Sequence, residues 1–221
     1  MIDEKELKKE AESRSKSFLF FSHFYLKRPD LELLRKIKRE EFRNYLRKLS
    51  LYFEKFYEHT ERYSDEKILD ELCVDFTKLM RGIKRTYSLP PPYESVWRGE
   101  NILMGNFCKE VLNFYLNSGI NIIVEDELPD HIGIELKFLS LLSFHEKNAW
   151  ESSSLNEAKR FLKLQKEFLE KHILTWAFYF LEEVFQKAET YFYKGLSLLT
   201  KSLLSETKER IDELLINLKD G

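Results

Sequence analysis

The stretch Ser88–Trp97, "SLPPPYESVW", places three consecutive prolines in a chain that otherwise reads as charged, aromatic-rich helices. Proline lacks a donor N–H and fixes φ, so it stops a helix and stiffens the segment it occupies. Pro90, Pro91 and Pro92 are therefore expected to end one helix and hold Tyr93, Glu94, Ser95 and Trp97 behind a rigid turn. Breaks of this kind are scarce: 221 residues contain five prolines and seven glycines, and 33% of the chain is charged. That balance, with plentiful Leu, Glu and Lys, predicts an all-α protein.

Outward from the break, helical spacing dominates. Phe18, Phe21, Phe24 and Tyr25 form an apolar stripe on a first helix over residues 3 to 27. Pro29 breaks it, and Asp30 is the expected N-cap of a second helix carrying Leu33, Leu34, Ile37, Phe42, Leu46, Leu49 and Phe53. Ser64 caps a third helix, which runs up to the prolines, and residues 101–117 form a further helix with Gly119 as its C-cap. "INIIVEDELPDHIG" holds the β-branched run of the chain; too isolated to build a sheet, it reads as a connection between two helical halves. The division is 1–120 for the N-terminal half, 121–130 for the connection and 131–221 for the C-terminal half. Long helices fill the last part, one of them opened by Ser154 and Glu157 at capping-box spacing.

Composition excludes several classes. A formal net charge of −2 argues against a nucleic-acid coat. Cys73 and Cys108 form no CxxC pair, which argues against a zinc site or a disulfide scaffold and for reduced thiols in a cytosolic compartment. The polar opening segment has no signal-like apolar core, and Glu182 and Glu183 interrupt the apolar "TWAFYFLEEVF". The expectation is a soluble cytoplasmic protein without stable membrane insertion. Catalysis has little support: there is no Gly-rich phosphate loop, no HExxH, no ExxH pair and no nucleophile turn, and the five histidines are scattered. No cofactor is called for, and a binding module is favoured over an enzyme.

Three stretches taken in series resemble the TorD/DmsD/NarJ-type family of redox-enzyme maturation chaperones. "VDFTKLM" and "PPPYESVW" lie within residues 74 to 97, "LPDHIGIELKFLSLL" spans 128–142, and "FLEKHILTWAFYFLEEVFQKAETYFYKGLSLL" spans 168–199. Met80 stands where the family commonly has Phe, and Trp97 where it often has Tyr. The resemblance implies an all-α, TorD-like bundle of two helical halves with a hinge near Asp130. It implies a cytoplasmic chaperone that binds the twin-arginine leader or the apo form of a molybdopterin oxidoreductase subunit and delays export until the cofactor is in place. It further implies a monomer or a domain-swapped homodimer, and weak GTP binding in some members.

A twin-arginine leader joins a basic pair to an apolar segment, so its receptor needs carboxylates beside an apolar groove. Glu125, Asp126, Glu127 and Asp130 supply carboxylates, or else a solvated acidic loop. Pro92 stiffens the turn that holds Tyr93 and Trp97 at the groove mouth, with Phe76 and Met80 on its wall or, as readily, in an ordinary core. Glu94 and Ser95 follow the break as ligands or as caps. Asp130 sits where an N-cap is expected, and His131 and Glu135 share a helix face. His172 and Trp176 read as packing residues. Two other readings compete: a nucleotide- or small-molecule-binding helical protein, and a helical adaptor using the basic helix of residues 35 to 48.

Overall fold

The computed structural model describes residues 3–82, 88–100, 104–123 and 127–218. Among these residues the regular structure is helical: α1 (Glu4–Leu26), α2 (Leu31–Ile37), α3 (Glu40–Leu49), α4 (Leu51–Arg62), α5 (Asp65–Met80), α6 (Glu94–Trp97), α7 (Asn106–Ser118), α8 (Ile132–Glu151), α9 (Leu155–Lys171), a 3-10 turn (Ile173–Thr175), α10 (Ala177–Lys187) and α11 (Tyr191–Asn217). The all-α expectation holds. The β-type pairing among the described residues is an isolated antiparallel bridge between Tyr93 and His131.

The chain groups into two compact units. The first comprises Met1–Leu26, Tyr93–Ala177 and Leu203–Gly221; the second comprises Lys27–Pro92 and Phe178–Ser202. These are interleaved segments, a different division from the sequential halves 1–120 and 131–221.

In the first unit α1 packs along α8, and α8 packs on α9. Gly133 allows the close approach of α1: a Cβ there would lie 2.4 Å from Leu26 Cγ and 3.1 Å from the Ser22 carbonyl oxygen. Ser140 Oγ donates to the Ser15 carbonyl at 2.8 Å. Below this the Arg14 guanidinium meets Glu146 at 2.5 Å, both buried. Glu146 also accepts from Trp150 Nε1 at 3.1 Å and Gln165 Nε2 at 2.7 Å. A buried carboxylate with three donors is compensated for its lost hydration.

In the second unit α2 packs on α5 and α3 packs on α4. Phe53, Phe56, Tyr57, Leu72, Phe76, Leu79 and Phe192 belong to its apolar interior. Asp75, also buried, accepts from the amides of Glu189 and Thr190 and from Thr190 Oγ1, the last at 2.7 Å, and so anchors the turn entering α11. Lys38 pairs with Asp65 and Arg43 with Glu61, so part of the basic face of residues 35 to 48 is neutralised within its own unit.

Several local expectations hold. Asp30 accepts from the Leu33 amide, Ser64 from the Lys67 amide, and Gly119 closes α7 at φ +75°. Others are corrected. The single helix expected after Asp30 is three helices, broken at Lys38–Arg39 and again at Ser50, whose extended backbone and hydroxyl start α4 by accepting from the Tyr52 amide. α5 stops at Met80, well before the prolines. Gly82 takes φ +61° there, and a Cβ on it would lie 2.8 Å from Pro91 Cδ, so the proline segment folds back against the helix end. The Leu89 amide secures that return by donating to the Lys78 carbonyl at 3.1 Å. Ser154 is the N-cap of α9 but its side chain makes no capping bond, so the capping box with Glu157 does not form; Glu157 pairs with Arg160.

Candidate functional site

Two segments that carry the sequence motifs meet in the first unit. The Glu94 amide donates to the Asp130 carbonyl at 2.8 Å, and the Ser95 amide donates to the Asp130 carboxylate at 3.0 Å. Asp130 is 0% exposed and caps the short helix α6 from across the fold. It is not the N-cap of α8. That position belongs to His131, whose Nδ1 accepts from the Gly133 amide at 3.0 Å. The His131 ring meets the Tyr93 ring edge-on, centroids 5.2 Å apart. Tyr93 Oη donates to Glu127 at 2.6 Å. Tyr115, from α7, donates its hydroxyl to the Pro129 carbonyl at 2.8 Å and fixes the start of the same turn.

Beneath the turn lies a buried acidic cluster. Glu94 and Glu135 are both fully buried. Glu94 accepts from Arg98, one turn along, and from His172 Nδ1 at 3.1 Å. Trp176 Nε1 donates to Glu135 at 3.3 Å. Burial, then the charges of Glu94 and Asp130, push the Glu135 carboxyl well above the usual carboxylate range. The same environment favours the protonated, neutral form of Glu135 over its carboxylate. Glu135 Oε1 is buried with no donor in reach. Burial, with the neighbouring Asp130 carboxylate, likewise pushes the Cys108 thiol up to about 12, so it is an inert thiol rather than a nucleophile.

The expected residues are thus distributed. Tyr93, Glu94, Ser95, Trp97, Glu127, Asp130, His131 and Glu135 belong to the first unit, and Phe76, Met80 and Pro92 to the second. Phe76 and Met80 are buried, as is Pro92. Tyr93, Trp97 and Glu127 are half-buried. Asp126 and Glu125 lie outside the described residues. Asp130 does not stand at an open acidic rim; the Ser95 amide engages it in the interior.

The sequence reading missed the polar roles of His172 and Trp176. Both are buried, as packing residues are, yet each supplies an N–H-bearing ring to a buried glutamate. Their four-residue spacing carried the signal; their acidic partners are remote in sequence. Chemically the arrangement is a scaffold: it locks the Tyr93–Trp97 turn to the start of α8 through buried hydrogen bonds. Among the described residues no group of three His, Cys, Asp or Glu side chains is placed to hold a metal ion.

A family model described as nitrate reductase delta subunit matches residues 24–182. The chain belongs to the nitrate reductase delta subunit family. The match takes in both motif segments and the His172–Trp176 pair. Relatives of this delta-subunit-family chain bear chaperone names. It is 28% identical over 146 residues to the chaperone protein TorD of Vibrio cholerae, covering 66% of this chain and 64% of that one. It is 30% identical over 118 residues to a DmsD-named Tat proofreading chaperone of Haemophilus influenzae, covering 52% and 51%. It is 28% identical over 136 residues to a perchlorate reductase assembly chaperone protein of Dechloromonas aromatica, covering 59% and 58%. The chain thus spans just under two thirds of the length of the first of these relatives. The TorD/DmsD/NarJ-type resemblance is upheld, and the named relatives are chaperones, not catalysts. No described helix is long and apolar enough to cross a membrane.

Proposed function

We propose that this chain is a cytoplasmic maturation chaperone for a molybdopterin-containing oxidoreductase subunit, binding its twin-arginine leader, its apo form, or both, until the cofactor is inserted. The observation that carries the reading is that the motif segments 93–97 and 127–135 converge on one hydrogen-bonded turn in a chain whose relatives are named as chaperones, one of them for assembly of a perchlorate reductase. The turn leaves Tyr93 and Trp97 half-buried on a rigid base, the arrangement expected of aromatic anchors for an apolar peptide segment. The residues proposed to serve binding with them are Glu94, Ser95, Glu127, Asp130, His131 and Glu135 in the first unit and Phe76, Met80 and Pro92 in the second, the buried ones by holding the exposed surface in place.

The test is co-expression with the molybdopterin oxidoreductase subunits of the source organism. The reading predicts a complex with the apo form of one of them and a higher molybdopterin content in that purified subunit when the chaperone is present. Equal cofactor content with and without it, and no complex, would contradict the reading.

A further inference from the structure

The second unit contains a pocket of about 460 Å³ that lies outside the motif segments. Its size falls within the ~300–1,000 Å³ typical of specific binding sites. Phe56, Ile68 and Leu72 form a buried apolar wall. At the opening Val74 is 63% exposed and Tyr191 40% exposed, so apolar surface continues out to solvent. Asp70, Glu71 and Glu189 contribute carboxylates to the lining against one imidazole, His59, and no Lys or Arg lines it among the described residues.

The rim is built rather than incidental. The amides of Glu189 and Thr190 are held by the buried Asp75 carboxylate at 3.1 and 2.8 Å, which fixes the edge that carries Glu189. Glu71 is oriented by His59 at 2.7 Å, and Glu189 by Lys78 at 2.6 Å. The Tyr191 ring already attracts a cation, with Lys55 Nζ 5.6 Å from its centroid. His59 and Lys78 are half-buried and still reach solvent, so these pairs are screened and exchange for a better-fitting cation.

We propose that this pocket binds an arginine–apolar segment of the client peptide, the guanidinium on Asp70 and Glu71 and the following apolar side chain against Phe56, Ile68 and Leu72. Guanidinium suits the rim because its planar fork donates paired hydrogen bonds to carboxylates and stacks on aromatic faces. The assignment rests on the chaperone reading and deepens it: the basic part of the leader meets exposed carboxylates here, while the buried Asp130, Glu94 and Glu135 support the Tyr93–Trp97 turn from within.

The experiment uses the full chain with isotope-labelled Ile and Val methyls and two probes: arginyl-leucinamide and a synthetic twin-arginine leader. Val74→Lys is the test variant, because an exposed position tolerates the change and the ammonium repels the guest. Both probes are expected to shift the Ile68 and Val74 methyl signals, and Val74→Lys to weaken leader binding roughly tenfold, the loss of one anchoring contact. If the dipeptide shifts these methyls while the leader binds nowhere, the pocket assignment stands and the leader-chaperone reading falls. A leader that binds with the methyls unmoved and Val74→Lys unaffected overturns the pocket and leaves the chaperone reading intact. If neither probe binds, the pocket assignment and the leader-binding part of the chaperone reading both fall.

Discussion

Ser95 and Asp130 are 35 positions apart in sequence, yet the Ser95 amide donates to the Asp130 carboxylate at 3.0 Å in the buried interior. This bond, with the Glu94 amide on the Asp130 carbonyl, ties the turn behind the prolines to the entry of α8. Asp130→Ala removes a charged acceptor and leaves a buried amide without a partner, a loss of about 1–3 kcal/mol. Asp130→Asn keeps one acceptor oxygen and is expected to lose less. Urea midpoints of the two variants check this; equal stability of Asp130→Ala and the unsubstituted protein would contradict the capping role.

Glu135 gives a pH signature. Its folded carboxyl titrates well above the ordinary 4.5. Above that ordinary value the unfolded chain has released the proton and the native state still holds it. Stability from this group is therefore fully present below 4.5 and falls as pH rises towards the folded value, by up to about 1.4 kcal/mol per pH unit. Glu135→Gln keeps an uncharged hydrogen-bonding group and removes the titration. Denaturation at a series of pH values from 5 to 8 (roughly the window in which most proteins are compared) is expected to show a shallower decline in Glu135→Gln. Parallel curves would mean that Glu135 is ionised in the native state.

The Arg14–Glu146 pair between α1 and α8 makes a separate prediction. Removing one member of a buried pair strands the other charge, so Glu146→Ala should cost about 3–5 kcal/mol. Glu146→Gln keeps an acceptor for Trp150 but leaves Arg14 charged and buried. Adding Arg14→Met to Glu146→Gln should therefore recover part of the loss. A double variant no more stable than Glu146→Gln alone would show that Arg14 is solvated well enough without its partner.

What the sequence made readable was local. Asp30, Ser64 and Gly119 announce helix ends because a cap is satisfied within three residues of itself. The break at Ser50 escaped because an apolar period continues through it, from Leu46 to Phe53. The end of α5 escaped because it depends on Gly82 meeting Pro91, a contact that hydrophobic spacing does not encode. The site was half visible. The motif segments were identified, but Glu94 finds His172 78 positions away and Glu135 finds Trp176 41 positions away. Such pairs are set by packing of whole helices, so a pattern read along the chain sees only an apolar helix with a histidine and a tryptophan on it.

The central claim is recognition of a twin-arginine leader, and calorimetric titration tests it most directly. The protein would be titrated with twin-arginine leaders of molybdoenzyme subunits from the source organism, and with Arg-Arg to Lys-Lys versions. The account predicts dissociation in the micromolar range or tighter, about −8 kcal/mol or better, weakened by the lysine replacement because a point charge cannot reproduce the guanidinium fork. No heat of binding from any of these peptides, at protein concentrations that would reveal micromolar affinity, would contradict it.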